Sequence, residues 1–404
     1  MTDAVDGGAK QHEERRAISV ASGAHALHDG YTDLIYIMLP VWQAEFGLSY
    51  AAIGLLRGFY AGTMALLQMT ATRLSGRFGP AAILALGTGL AGFGYCLAGL
   101  SGSFAFLLVA LIVGGIGASA QHPIASEMVA RAYAGPRAMK AMGGYNFAGD
   151  IGKMTLPALA ALMLAILPWR PTLLLLGAVG LVAAFLIYRL APKPATGAAL
   201  RPDTDLTPQA DPPKAMRGAF GMLMTIGIID SATRMGFLTF LPFILAAKGA
   251  SLPTVGLALT LVFAGGAVGK LVCAWLGARI GMIATVLLTE IATPLLILAL
   301  LPLPLMAGMA LLPLLGVALN GTSSVLYGSV PALVTADKRE RAFGMFYTGT
   351  IGAGAVAPIV YGMIGDVIGL PGGVMVVAGL VVITVPLVLL LRPAFAQRQS
   401  PRLA

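Results

Sequence analysis

Apolar stretches of about 20 residues recur along the whole chain, and short polar segments separate them. A stretch of this length crosses a bilayer as an α-helix, because only a closed hydrogen-bond pattern is stable where water is absent. The stretches do not alternate polar and apolar residues, which excludes a transmembrane β-barrel. The sequence therefore predicts twelve membrane-spanning helices, at 18–45, 50–72, 81–100, 104–130, 140–166, 171–190, 217–246, 254–276, 282–302, 305–333, 341–365 and 371–391.

The amino-acid composition agrees with an all-α integral membrane protein. Hydrophobic residues make up 58% of the chain and charged residues 11%, whereas soluble domains contain about 25% charged residues. Cys96 and Cys273, the two cysteines, both lie in apolar spans and provide neither a disulfide framework nor metal-ligand spacing. The chain also lacks the HExxH and GxSxG motifs. We therefore predict no enzymatic activity, no metal and no cofactor.

The basic residues are unevenly distributed, and their distribution predicts the orientation of the helices. With the N-terminus inside, 20 of the 26 Lys and Arg residues fall in cytoplasmic segments, whereas the outer loops contain only Arg170 and Lys248. Cytoplasmic loops of membrane proteins carry such an excess. The net charge of +9 is thus an orientation signal rather than a surface for nucleic acid. We predict a multi-pass protein of the inner cell membrane with both termini in the cytoplasm.

An internal repeat with a period of about 200 residues divides the chain into two halves. The segment GYNFAGDIG at 144–152 matches GMFYTGTIG at 344–352. Between the halves, 191–216 contains six prolines and many small residues, which predicts a flexible cytoplasmic linker. The predicted divisions are a cytoplasmic tail at 1–17, six-helix halves at 18–190 and 217–391, the linker, and a cytoplasmic tail at 392–404.

The first span carries a polar stripe that is costly in a membrane. On a helix, His25, His28, Asp29 and Asp33 share one face, and a charged residue at bilayer depth costs about 2.5–3.5 kcal/mol on insertion scales. We expect these residues to face a cavity and to act there; the alternative is a hydrogen-bond cluster that only holds the bundle together. The opposite side is predicted to face lipid, with Leu27, Leu34, Ile35 and Leu39.

Two six-helix halves with parallel repeats and a central linker resemble the plan of the major facilitator superfamily. Within this superfamily, the segments 24–56 and 114–135 are similar to the fosmidomycin-resistance group. The matching residues are His25, Asp29, Gly117, His122 and Pro123. The superfamily's loop motif is partly present as TRLSGRFG at 72–79 and AWLGARIG at 274–281, both without the usual acid. Ile124 stands where the group has an acid after His-Pro.

The resemblance implies a mid-membrane cavity between the halves, lined by spans 1, 2, 4, 5, 7, 8, 10 and 11. Acids in low dielectric take up protons more readily than in water, and buried cations hold anionic groups. The predicted proton-coupling residues are Asp29, Asp33, His25, His122 and Asp150. The predicted substrate-binding residues are Arg57, Asn146, Lys153, Asp230, Arg234, Tyr327 and Tyr347. The predicted gating residues are Arg77, Glu127, Lys270 and Arg279.

Two pairs of charged residues have the spacing of ion pairs on a helix. Asp150 and Lys153 are i,i+3, and Asp230 and Arg234 are i,i+4. These pairs either exchange partners during transport or hold the halves together as static contacts. Glu290, in the ninth span, has no predicted role beyond a contact with a peripheral helix.

The pattern of embedded charges predicts a proton-coupled secondary transporter. We expect an efflux antiporter of a small amphipathic or anionic compound that works by alternating access as a monomer in the lipid bilayer. Uptake of an organic anion by proton symport is the first alternative, because the same charges serve either direction. A non-transporting scaffold or sensor on the same fold is an alternative of another class, although the linker and short tails offer no sizeable partner-binding domain.

Overall fold

The computed structural model describes residues 2–133, 135–192, 218–335 and 338–399, which are helical with short connections and contain no β-strand. The linker predicted at 191–216 lies almost wholly outside the described residues. The helices are α1 Thr2–Phe46, α2 Tyr50–Phe78, α3 Pro80–Gly99, α4 Phe104–Ala118, α5 Gln121–Ala132, α6 Pro136–Leu164, α7 Trp169–Leu190, α8 Ala219–Ala247, α9 Leu252–Ile280, α10 Met282–Leu300, α11 Leu305–Leu333, α12 Arg339–Val382 and α13 Thr384–Gln399.

These helices account for the twelve predicted spans. Ten stretches of the described residues are long and apolar enough to cross a membrane, and one of them comprises α4 together with α5. Another, at Arg341–Phe395, contains two spans, since α12 is interrupted at Gly369 by non-helical backbone with φ 80° and ψ 161°. The long α1 falls outside the ten, and its polar stripe accounts for its lower hydropathy. It begins within the segment predicted as the N-terminal tail.

Glycine determines two connections between helices that are only one residue long. Gly79 alone separates α2 from α3, and Gly281 alone separates α9 from α10. Their φ angles are 89° and 86°, a region of backbone conformation that favours glycine over other residues. Both glycines belong to the partial loop motifs recognised in the sequence. The motif therefore retains its turn-forming residue in both places where its acid is missing.

The chain forms two compact units. Unit 1 comprises Met1–Gly47, Phe59–Ala199 and Ser251–Thr260, and unit 2 comprises Leu48–Gly58, Leu200–Ala250 and Leu261–Ala404. Within unit 2, the start of α2 is held by α12, because the Asp366 carboxylate accepts hydrogen bonds from the backbone N–H groups of Tyr50 at 2.7 Å and Ala51 at 2.9 Å. An acid at a helix N-terminus satisfies donors that the helix leaves free and complements its dipole.

In unit 1, α1 packs closely against α6 through small residues. A Cβ atom added at Gly152 would overlap the Ala26 carbonyl group, and one added at Gly30 would lie 2.7 Å from Leu156 Cβ. Helix α1 is also covered on its apolar side, because Leu34, Ile35 and Leu39 are fully buried. The prediction that this side faces lipid was therefore wrong for these three residues: neighbouring helices of the unit enclose the centre of α1.

In unit 2, α8 and α12 make the corresponding contact. A Cβ atom added at Gly227 would lie 2.5 Å from the Phe346 ring, and one added at Gly349 would lie 3.3 Å from Ile228. The glycine-rich runs at 114–117 and 265–269 also lie against neighbouring backbone or side chains, as at Gly115, where a Cβ would be 2.6 Å from the Tyr60 carbonyl oxygen. These glycines therefore allow close helix packing.

Gly152→Ala should destabilise the protein, whereas the same change at the repeat-related Gly352 should not. An added methyl group at Gly152 has no space beside Ala26, while nothing lies within 4 Å of one at Gly352. Overpacking costs about 1–3 kcal/mol, and Gly→Ala in an open helical position is favourable by about 0.5–1 kcal/mol. Thermal unfolding of the two purified variants beside the parent measures the difference. Equal melting temperatures for the two variants would contradict the close α1–α6 packing.

Candidate functional site

A buried cluster in unit 1 is centred on the Asp29 carboxylate of α1. Its Oδ2 lies 3.4 Å from His25 Nε2 and 3.3 Å from Lys153 Nζ of α6. Its Oδ1 lies 3.7 Å from His122 Nε2 of α5 and 3.9 Å from His28 Nε2. The side chain of Asp29 is 8% exposed. Three helices therefore bring one ammonium group and three imidazoles to a single carboxylate.

His25 is oriented by a contact on the far side of its ring. Nδ1 lies 2.9 Å from the Tyr145 carbonyl oxygen, and a carbonyl oxygen only accepts hydrogen bonds, so Nδ1 carries a proton. Nε2 therefore faces Asp29 Oδ2. The two atoms attract each other when a proton lies on Nε2 or on the carboxylate. His25 and Asp29 thus form a place where one further proton can be shared, and the Tyr145 ring stacks on the imidazole with centroids 4.2 Å apart.

Gly149 of α6 gives the cluster the space that it needs. A Cβ atom at this position would lie 2.7 Å from both Asp29 Oδ2 and His25 Nε2. Glycine here allows the α6 backbone to approach the carboxylate and allows Lys153, one turn further along α6, to reach it. Gly149 and Gly349 match in the sequence repeat, and each lies at a close helix contact of its own unit. Gly149 lies where α6 meets α1, and Gly349 lies where α12 meets α8.

The charges of the cluster favour a proton over a metal ion. The ligand atoms of His25, Asp29 and His122 lie within 4.8 Å of one another, a separation that a transition-metal ion can bridge. However, the Lys153 ammonium at 3.3 Å already supplies a cation to Asp29 and would repel a second one. With Asp29 ionised, Lys153 charged and the histidines neutral, the cluster has no net charge. One added proton gives it a charge of +1.

The other predicted residues of unit 1 lie in different surroundings. Asp33 and Asp150 are both buried, and Asn146 is exposed. The spacing on α6 predicts that Lys153 pairs with Asp150, whereas the contact that stands out in the structure is that of Lys153 with Asp29 on α1. The ammonium group of Lys153 thus reaches the Asp29 carboxylate on the neighbouring helix.

The predicted substrate-binding residues of unit 2 fall partly around one small pocket. It is lined by Asp230, Arg234 and Tyr327 together with Gly227, Ser231, Ser323, Leu326, Phe346 and Thr350. The Tyr327 hydroxyl lies 3.0 Å from Thr350 Oγ1, and the Tyr347 ring lies 6.4 Å from that of Tyr327. Arg57, in the part of α2 that belongs to unit 2, is 2% exposed and directs Nη2 towards Met235 Sδ at 3.8 Å.

The four predicted gating residues lie near helix ends or are partly buried. Arg77 and Arg279 occupy the last turns of α2 and α9, where a cation complements the helix dipole. Their guanidinium groups lie over the rings of Phe78 at 5.3 Å and Trp275 at 5.4 Å. Glu127 pairs with Arg131 on the same helix at 2.6 Å, and Lys270 is partly buried.

Sequence reasoning did not identify several polar contacts. The Tyr145 carbonyl group that orients His25 belongs to the backbone, so no side-chain pattern predicts it. Glu290 had no predicted role beyond a contact with a peripheral helix, and it makes such a contact: its Oε2 lies 2.9 Å from Thr384 Oγ1 of α13. The signal available for Glu290 was its occurrence as an acid in an otherwise apolar span. Glu14 of the predicted tail is buried and pairs with Arg137.

Comparison with known sequences gives consistent matches. The sequence profile described as Major Facilitator Superfamily matches residues 22–226 and again 223–403. The fosmidomycin resistance protein of Escherichia coli (strain K12) is 30% identical over 148 residues, which are 37% of this chain and 36% of that protein. The probable sulfoacetate transporter SauU of Cupriavidus necator is 29% identical over 149 residues, 36% of this chain and 34% of that protein. The matched segments thus span about a third of these relatives.

Solved structures match over nearly the whole chain. A bacterial homologue of the human lysosomal transporter Spinster, inward-facing and occupied, has a TM-score of 0.78 at 15% identity and covers 96% of this chain and 99% of that one. The nucleoside transporter NupG has a TM-score of 0.75 at 14% identity, over 95% and 99% of the two chains. At such identities the similarity shows the fold, and the predicted fold class is confirmed.

Proposed function

Because this chain belongs to the Major Facilitator Superfamily, and is accordingly a membrane transporter of small substrates rather than an enzyme, we propose that it is a proton-coupled efflux antiporter. It exports a small amphipathic or anionic compound by alternating access and takes up protons in exchange. The observation that carries the proposal is the buried Asp29 carboxylate with Lys153 and three histidines around it. The relative named for fosmidomycin resistance supports export.

Antiport requires the proton and the substrate to compete for one group. Asp29 meets this requirement when an N–H or O–H group of the substrate donates a hydrogen bond to its ionised carboxylate. Protonation of Asp29 turns one of the carboxylate oxygens into a donor, so the proton and the substrate compete for it. Binding of such a substrate then releases the proton shared by His25 and Asp29. Lys153, with Nζ 3.3 Å from Asp29 Oδ2, is positioned to bind an anionic group of the same substrate. His122, whose Nε2 lies 3.7 Å from Asp29 Oδ1, passes the proton on from Asp29.

Uptake of an organic anion together with protons is the second candidate, and the Lys153–Asp29 contact is the observation that favours it. An anion that binds Lys153 removes the counter-charge of Asp29, and the isolated carboxylate then binds a proton more readily. Anion and proton would bind together, which is the requirement for symport. The name of one relative, the probable sulfoacetate transporter, denotes an organic anion and supports this substrate class.

The sign of proton exchange on binding separates the two candidates. Purified full-length protein is mixed with fosmidomycin or sulfoacetate in weakly buffered solution that contains a pH indicator, and binding is measured in parallel by calorimetry. The antiporter releases a proton when it binds its substrate, whereas the symporter takes one up. Asp29→Asn should bind the compound without either change. A bound compound that leaves the proton count of the parent unchanged would contradict coupling at this cluster.

We also propose the orientation and division of the chain. Both termini and the linker at 191–216 are cytoplasmic, and the monomer lies in the inner cell membrane with six spans at 18–190 and six at 217–391. The distribution of Lys and Arg residues supports this orientation, with 20 on the inner side and two on the outer side. Arg77 and Arg279 act as gate residues on the cytoplasmic side.

A further inference from the structure

The small pocket of unit 2 is lined by four hydroxyl groups on three helices. They belong to Ser231 of α8, Ser323 and Tyr327 of α11, and Thr350 of α12. Ser231 and Thr350 are 3% and 5% exposed, so the pocket lies inside the packed unit. It leaves about 10 Å³ for the centre of a water-sized group, which suits one small polar group and excludes a ring.

Three of these hydroxyl groups donate their protons to the backbone. Ser231 Oγ lies 2.7 Å from the carbonyl oxygen of Thr350, and Thr350 Oγ1 lies 3.0 Å from that of Tyr347. Ser323 Oγ lies 3.1 Å from the carbonyl oxygen of Asn320. A carbonyl oxygen only accepts hydrogen bonds, so the hydroxyl group is the donor in each pair. A hydroxyl group has a single proton, so none of the three has one left for a ligand.

The proton of Tyr327 is used in the same way. The Tyr327 hydroxyl group lies 3.0 Å from Thr350 Oγ1, whose own proton is donated to the Tyr347 carbonyl oxygen. Both contacts are hydrogen bonds at the same time only when Tyr327 donates to Thr350. The hydroxyl groups of the pocket therefore offer lone pairs but no free proton to a ligand. The Asp230 carboxylate, which also lines the pocket, adds further acceptors.

One donor group completes the lining. Arg234, one turn after Asp230 on α8, also lines the pocket, and its Nε is buried without a hydrogen-bond partner among the described residues. The formal charges of ionised Asp230 and Arg234 cancel, so the pocket as a whole favours neither an anion nor a cation. A neutral group that both donates and accepts hydrogen bonds fits this lining, and a hydroxyl group does both.

We propose that this pocket is a hydroxyl-binding subsite of the transporter. The hydroxyl group of an organic substrate donates its proton to the oxygen of Tyr327 or Ser231 and accepts a hydrogen bond from Arg234. A ketone oxygen at the same place has no proton to donate, so it leaves the buried acceptors of the pocket unpaired. Because the ligand is the transported compound, this assignment rests on the proposed function and narrows it to hydroxylated substrates.

Pairs of short organic acids that differ only in one oxygen group test the subsite. The probes are 3-hydroxybutyrate with 3-oxobutyrate, and 4-hydroxypentanoate with 4-oxopentanoate. The members of a pair have nearly the same size, but only the hydroxy acid donates. Calorimetric titration into the purified full-length protein should give a Kd about 10- to 100-fold lower for a hydroxy acid than for its keto acid.

Equal affinities within both pairs, or no binding by either hydroxy acid, would overturn the subsite. This ratio is independent of the proton exchange that tests the proposed function. Equal affinities together with proton release on substrate binding leave the antiporter in place and remove only the subsite. A preference for the hydroxy acid without any proton exchange leaves the subsite in place and removes the coupling.

Thr350→Val tests the direction of the hydrogen bonds. Valine keeps the shape of the side chain but removes the oxygen that accepts from Tyr327, whose proton then becomes available to a ligand. The keto acid should bind more tightly to this variant than to the parent, and the ratio of the two Kd values should fall towards one. An unchanged ratio contradicts the assignment of Tyr327 as an acceptor in the parent.

Thr322→Val is the matched control for this variant. Thr322 is 1% exposed and lies in the same unit, but its Oγ1 donates to the Ala318 carbonyl oxygen at 3.1 Å and does not line the pocket. Its variant should keep the ratio of the parent. If Thr350→Val does not fold, Tyr327→Phe serves instead. It should weaken binding of the hydroxy acid and leave that of the keto acid nearly unchanged, and a retained preference contradicts the subsite.

Discussion

Asp29→Asn should abolish transport driven by a pH gradient while leaving a folded protein that still binds its substrate. Asparagine keeps the shape of the side chain and can still donate and accept hydrogen bonds, but it carries no charge to attract Lys153 and cannot share a proton with His25. Uphill transport in proteoliposomes with an imposed pH gradient should fall to background. Exchange of labelled for unlabelled substrate, which needs no net proton movement, should survive in the same preparation.

Asp33→Asn and Asp150→Asn are the matched comparisons, because both acids are as well buried as Asp29 in the same unit. The Asp29 cluster gathers three imidazoles and one ammonium group around a single carboxylate, so we expect Asp29 to be the main carrier among the three. If Asp29→Asn transports uphill as well as the parent while one of the other two fails, the coupling carboxylate is the other one. If all three variants transport uphill, protons do not drive transport through these acids.

Much of the fold follows from the sequence because its physical determinants are local. The length of an apolar stretch is set by bilayer thickness, so the spans are visible one at a time, and Gly79 and Gly281 mark their turns directly. The lipid-facing side of α1 was predicted wrongly for Leu34, Ile35 and Leu39 because an apolar side chain suits both lipid and a neighbouring helix. Hydropathy alone does not distinguish these two surroundings, since the membrane interior is as apolar as a helix interface.

The candidate site was only partly predictable from the sequence. A polar stripe in an apolar span singled out His25 and Asp29, and the repeat drew attention to residues 144–152 of α6. The partners of these residues depend on which helices meet. Lys153 pairs across to α1, and the Glu290 carboxyl group contacts Thr384 of α13. Side-chain spacing predicts pairs within one helix, so contacts between helices require the packed structure.

Lys153→Met should weaken binding of an anionic substrate far more than binding of a neutral analogue. In the proposed mechanism the Lys153 ammonium binds the anionic group of the substrate, and a hydrogen bond to a charged group contributes about 1.5–3 kcal/mol. Its loss corresponds to an approximately 10- to 100-fold increase in Kd for the anion. Calorimetric titration of both compounds into the purified variant measures the two effects. Methionine keeps the length and apolar stem of the side chain, so packing against α1 changes little.

Lys153→Arg separates the charge of this residue from its contact with Asp29. Arginine retains a positive charge but presents a planar group with several donors in place of a compact ammonium, so anion binding should persist while the geometry around Asp29 changes. If binding follows the charge, the arginine variant retains most of the anion affinity and the methionine variant loses it. Equal weakening of anionic and neutral ligands by Lys153→Met would assign Lys153 a structural role. Lys153 would then act only as the counter-charge that keeps Asp29 ionised beside its three histidines.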